Sequence, residues 1–227
     1  STFFLPDAKT HQKNSNNIKF FFEGFSFIIK NEIFYIMILL SYFTNFFIFG
    51  YIQALPAFIE LFEGTPRELG LMFSSAGLGA LSGLLTAGKL NIRTNLGKKI
   101  LFSASFFSFF IILVSLVGVG FIPENVPGTN ILLICPLALI GHFANGFYML
   151  STYAVIQSLV PEHIRGRVMG ILAIHISLGI LGGLWVGGVG EFISIRVGVG
   201  LGPIICIAFI IYILIFKKSV RNLQNID

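Results

Sequence analysis

Ionisable and amide side chains are scarce inside the long apolar runs of this sequence, and the few that occur are where chemistry has to be sought. His142 and Asn145 lie in one run, His175 in the next, and Asn45 and Gln53 in the first. A histidine with an unperturbed pKa of ~6.5 can take up or release a proton near neutral pH, and an amide can donate to and accept from a polar solute. Either type can equally bond to a neighbouring helix, and the residues alone leave both readings open. His142 falls about 12 residues into its run, ~18 Å along a helix, with Asn145, Met149 and Thr152 following at helical spacing. His175 shares a face with Gly179 and Gly182, while Asn45 and Gln53 share one with Tyr42 and Phe49. Glu60, Glu63, Glu68, Glu124 and Glu191 gather at run ends, so no carboxylate is expected at mid-depth.

The framework that positions these residues has to be a membrane-spanning one. Hydrophobic residues make up 55% of the 227 and charged residues only 11%, whereas about a quarter of a soluble domain is charged. No soluble core of this size hides so much apolar surface. Six stretches supply the ~20 mainly apolar residues that cross ~30 Å of hydrocarbon: 32–62, 67–90, 98–122, 130–159, 168–192 and 197–216. Pro56 and Pro136 are the expected kink sites. Before them, residues 1–31 read as a loop ending in an amphipathic helix, in which Lys19, Glu23 and Lys30 interrupt a row of phenylalanines that would lie in the interface. Residues 217–227 read as a polar tail. All Lys and Arg except Arg67 and Arg196 fall on one side of this arrangement, which places both termini in the cytoplasm by the positive-inside rule. Nucleic-acid binding is excluded, because no soluble domain carries a clustered basic face. Cys135 and Cys206 sit inside apolar runs as packing residues, and nothing calls for a metal or a cofactor.

Polarity is shared unequally among the six stretches. The third and sixth contain nothing more polar than serine, cysteine and tyrosine, so they are expected to face lipid. An unpaired polar group in hydrocarbon costs several kcal/mol. The other four should therefore turn their amides, histidines and hydroxyls toward one another or toward water. Gly79 and Gly83, and Gly179, Gly183 and Gly187, recur at spacings that let helix backbones approach. The cationic segment 161–167, with Arg165 and Arg167, reads as a short turn at the membrane surface.

Several of these stretches resemble one known family. LVPEHIRGRVMG followed by a glycine-rich helix looks like the junction between the tenth and eleventh helices of major facilitator superfamily transporters, in their multidrug and siderophore exporter-like branch. ALPAFIELFEGTPRELGLMFSSAGLGALSGLLTAGKL resembles the hairpin of the seventh and eighth helices, and NNIKFFFEGFSFIIKNE the amphipathic segment before them. GKLNIRTNLGKKIL is similar to the degenerate cytoplasmic motif of that family. Gly88, Leu90, Arg93, Gly97, Lys98 and Lys99 match in type, but Ile92 stands where an aspartate is usual. The resemblance implies an all-α, polytopic membrane protein whose six transmembrane helices form one half-bundle of a major facilitator fold. It implies proton-coupled efflux of a small amphiphilic or hydrophobic solute by alternating access. A bacterial inner membrane location and a partner N-terminal six-helix half follow with it. On that reading Asn45, Gln53, His142, Asn145 and His175 line the substrate or proton pathway, and Gly88, Arg93, Gly97, Lys98, Arg165 and Arg167 serve the cytoplasmic gate. Two other classes stay open: a non-transporting membrane subunit, or half-transporter with a separate partner, and an intramembrane serine protease, for which Ser82 and Ser177 lack the required Gly-x-Ser-Gly setting.

Overall fold

A computed structural model describes residues 17–90, 95–117 and 129–223. Among them no strand occurs, and six helical segments are long and apolar enough to cross a membrane. The amphipathic helix α1 (Asn17–Lys30) precedes the first span, in which α2 (Glu32–Phe43) passes through a π-helical turn at Thr44–Ile48 and a 3-10 stretch at Phe49–Ala54 into α3 (Leu55–Glu60). Pro56 is the cause at the far end. It has no N–H to donate to residue 52, and its ring crowds that carbonyl, so the regular ladder ends before it and resumes with the proline in the first turn of α3. Pro136 lies inside the fourth span, where α6 (Thr129–Leu159) is helical throughout.

Local signals set the remaining boundaries. Thr65 opens α4 (Pro66–Lys89) with a reciprocal cap: its hydroxyl accepts from the Glu68 amide, and the Glu68 carboxylate accepts from the Thr65 amide at 2.7 Å. Asn95, in the left-handed region at φ 53°, starts α5 (Leu96–Leu116). The segment 161–167, expected as a turn, is helical from Glu162 onward. Pro161 biases Val160 away from helix and so ends α6, then stands just before α7 (Glu162–Ala173), where Glu162 complements the positive helix end. α7 and α8 (His175–Phe192) make the fifth span, interrupted at Ile174, and α9 (Ile195–Phe216) makes the sixth. The tail folds back in a short α10 (Lys218–Arg221): Val220 is buried, the Gly97 amide donates to Leu223, and Lys217 and Ser219 both donate to the Glu32 carboxylate. That carboxylate holds the Lys217 ammonium above the usual lysine range.

Glycines decide which helices touch. Gly79 and Gly83 of α4 lie against the Leu139 and Phe143 carbonyls of α6, and Gly146 of α6 lies against Ala80 in return. Gly182 of α8 meets Phe46 and Gly50 of the first span in the same manner, and Gly202 of α9 meets Phe47. Gly183 accommodates the Gln53 side chain, Gly179 is in ordinary contact with Asn45 and Phe49, and Gly187 has open space beside it. α5 packs between α6 and α9, so the bundle is two layers of three, α4–α6–α5 and first span–α8–α9, joined where α5 meets α9.

Enclosure within the bundle differs among the spans. The third span buries Ile100, Leu101, Ala104, Phe107, Ile111 and Val114 while Phe102, Phe109 and Leu116 stay exposed, and α4 and α8 keep broad apolar faces uncovered, with Leu78 62% and Leu184 75% exposed. Neighbouring backbone approaches α4 at Gly79 and Gly83 and α8 at Gly182, while Gly70, Gly77, Gly187 and Gly188 have open space beside them. A Cβ on Gly182 would overlap the Phe46 carbonyl backbone. Gly182→Leu should therefore force the first span and α8 apart and lower stability by at least ~1–3 kcal/mol, while Gly187→Ala should be near neutral. Unfolding of both variants in mixed micelles is the measurement.

Candidate functional site

Both interrupted spans lie against each other, and polar side chains gather at their breaks. At the Ile174 break the carbonyls of Ile171 and Leu172 accept cap bonds from backbone N–H groups, and each takes a second bond from a side chain. Tyr42 of α2 donates its hydroxyl to Ile171 at 2.5 Å, and the His175 ring takes Leu172 through Nδ1 at 2.6 Å. A carbonyl can only accept, so Nδ1 carries a proton and Nε2 faces outward. There it lies 3.5 Å from the Tyr153 hydroxyl of α6, with the two rings edge to face. Three spans thus converge on one broken turn.

His142 repeats the arrangement one layer away. Its Nδ1 donates to the Ala138 carbonyl at 2.9 Å, and its Nε2 faces the Tyr51 hydroxyl of the 3-10 stretch at 3.5 Å. Phe107 of α5 and Phe49 close over the ring, which is 2% exposed. The two histidines bond to different tyrosines. Asn145 is also buried, its amide directed at the Met149 sulfur at 4.0 Å. Asn45, half-buried, donates to the Ser41 carbonyl beside Gly179, and Gln53 is exposed against Gly183. Deeper in the bundle, Tyr148 of α6 meets Ser41 at 3.2 Å, and Thr44 lies 3.8 Å from the Cys206 sulfur of α9. A cleft of about 360 Å³ between α4 and α6 is lined by Leu84, Met149, Leu150, Tyr153, Ala154 and Gln157. Tyr153 is therefore shared between the cleft and the His175 bond. Ser82 donates to the Gly79 carbonyl of its own helix.

The structure separates the residues expected at the loops. Arg167 pairs with Glu23 of α1, and a Cβ at Gly24 would stand 3.0 Å from that of Arg167, so α1 is fastened closely to the start of α7. Arg165 reaches back to the Val160 carbonyl at 3.5 Å. Gly97 touches the Val220 carbonyl of α10, Lys98 is exposed, and Gly88 has only Leu150 nearby. Arg93 lies outside the described residues. Among the tyrosines, Tyr51 and Tyr153 were missed by attention to histidines and amides. The signal was present, since a tyrosine deep in an apolar run needs a partner for its hydroxyl.

Comparison with known families now has a fold to act on. The family model of the Major Facilitator Superfamily matches residues 34–226. The chain belongs to the major facilitator superfamily. No curated protein matches it. The all-α assembly of six spans corresponds to one half-bundle of the major facilitator fold, and the chain is an integral, multi-pass membrane protein of a transporter family.

The broken turn gives a stability test. Tyr42→Phe leaves the Ile171 carbonyl with only its 3.2 Å bond from the Ile174 amide, at an expected cost of about 0.6–2 kcal/mol. His175→Phe removes two bonds and should cost more. Both are read from unfolding titrations in mixed micelles.

Proposed function

We propose that the chain is the second six-helix half of a secondary active transporter that exports a small amphiphilic or hydrophobic solute in exchange for protons, with its basic face in the cytoplasm. The observation that carries this reading is the pair of interrupted spans lying against each other with polar side chains gathered at the breaks, in a member of a family built from two such halves that rock about a midplane site. The uncovered apolar faces of α4 and α8 are where the preceding six-helix half would sit. Asn45, Gln53 and Asn145, with Tyr153 and Gln157 in the α4–α6 cleft, are the proposed solute contacts.

His175 is the better placed of the two proton candidates. A proton arriving at Nε2 turns that atom from acceptor to donor, so the Tyr153 hydroxyl has to rotate and present its oxygen. Protonation would then change a contact between the fourth and fifth spans at the same broken turn. His142 would couple the first and fourth spans through Tyr51 in the same way, from a more enclosed position. Arg165, Arg167, Lys98 and Gly97 would hold the ends of these helices at the cytoplasmic surface, with Gly88 and Arg93 in the loop between the second and third spans.

Inverted membrane vesicles containing the full-length protein, energised by an imposed pH gradient, should accumulate a lipophilic fluorescent dye. A protonophore should abolish the accumulation. His175→Gln should reduce it toward the level of vesicles without the protein, and His142→Gln should do so less. Accumulation indifferent to the protonophore would remove proton coupling, and none in any gradient would remove dye-type solutes.

A further inference from the structure

A groove on the outside of the bundle, between α5 and α6, belongs neither to the α4–α6 cleft nor to the broken turns. At Gly141 of α6 the two helices lie close, and a Cβ there would stand 3.0 Å from that of Phe110. Toward the basic end of α5 they splay, leaving an opening of about 320 Å³ lined by Lys99, Phe102, Ser103, Phe106, Phe143, Ala144 and Phe147. Its construction follows from spacing. Phe102, Phe106 and Phe110 recur every four residues on α5, with ring centroids 5.8 Å and 4.8 Å apart, and Phe143 and Phe147 recur likewise on α6. Between the two rows the floor is small: Ser103 and Ala144 are buried, and the Ser103 hydroxyl is spent on the Lys99 carbonyl at 2.7 Å. The slot is therefore apolar along its length and cationic at one end, where Lys99 lines it and Lys98 is exposed alongside.

We infer that this groove binds one acyl chain of an anionic phospholipid, with the lipid phosphate held by Lys99. Charge complementarity selects this occupant: the apolar slot ends at Lys99 beside the exposed Lys98, which matches hydrocarbon carrying an anionic head. From Lys99 to Phe106 the slot runs roughly 10 Å at 1.5 Å per residue, a length that a flexible hydrocarbon chain fills from the headgroup inward. Lysines at the level of a bilayer surface favour anionic over zwitterionic headgroups, and the phenylalanine walls provide no hydrogen bond that a more polar ligand would need.

The test uses tryptophan fluorescence in the full-length protein, since Trp185 is the chain's single tryptophan. In a Trp185→Phe background, Phe147→Trp places a reporter in the groove, and Phe102→Trp, at a position 70% exposed, provides a second if the first does not fold. The protein is reconstituted with phosphatidylcholine plus increasing amounts of phosphatidylglycerol brominated on its acyl chains, and separately with brominated phosphatidylcholine. The groove reporter should be quenched with a relative affinity about fivefold higher for the anionic lipid. Lys99→Gln should bring that ratio close to one, whereas a Leu132→Trp reporter at the other end of α6 should show no preference. Equal quenching by both lipids at the groove, a preference that survives Lys99→Gln, or relief of quenching by a hydrophobic dye irrespective of headgroup would each overturn the assignment. Transport activity does not enter the readout, so the result is independent of the proposed export function.

Discussion

Inside a bilayer there is no water to take a backbone carbonyl that a helix has let go, and this constraint governs the middle of the molecule. At the Ile174 interruption the Ile171 and Leu172 carbonyls keep backbone cap bonds, and one hydroxyl and one imidazole N–H add to them. The first span solves its own irregularity by π-helical and 3-10 hydrogen bonding ahead of Pro56. Because the Tyr42 hydroxyl of the first span bonds the Ile171 carbonyl, the two interrupted spans are tied at this point. A polar side chain in such a place serves the backbone that the bilayer cannot hydrate.

Close backbone approach is the second organising feature. Hydrophobic burial gives little drive to associate helices that already sit in lipid, so contact has to come from packing and interhelical hydrogen bonds. Glycines on both partners, as at Gly83 with Phe143 and Gly182 with Phe46, bring carbonyl backbones against helices that lack a Cβ there. The result is two three-helix layers joined through α5 and α9, with tyrosine–histidine and tyrosine–serine contacts linking first, fourth and fifth spans across them. Outside this frame α1 is fastened to α7 by the Glu23–Arg167 ion pair, so the segment before the first span is tied to the start of the fifth.

The histidines illustrate how the same residue type takes its meaning from its surroundings. Each ring commits Nδ1 to a carbonyl of its own segment and turns Nε2 to a tyrosine of another. His142 is closed over by Phe49 and Phe107, whereas the tyrosine partnering His175 also lines a cleft open between α4 and α6. Both rings are buried, His142 2% and His175 3% exposed, so they differ in the partner: Tyr51 is buried and Tyr153 borders the cleft.

By itself the sequence determined the number of spans, their approximate limits and the residues unable to face lipid, because composition against a fixed hydrocarbon thickness leaves few alternatives. It also marked Gly79, Gly83 and Gly179 as contact points and Pro56 as a break, since each follows from local covalent chemistry. It did not reveal that 162–167 is helical, that α5 is more enclosed than α4 or α8, or that Tyr51 and Tyr153 complete the histidine bonds. Those depend on which faces meet, and a helix with no polar residue carries no label saying whether its neighbour is lipid or protein. Only the tertiary structure decides that, because contact between helices is set by shape at a handful of small residues and by the pairing of polar groups from distant parts of the chain.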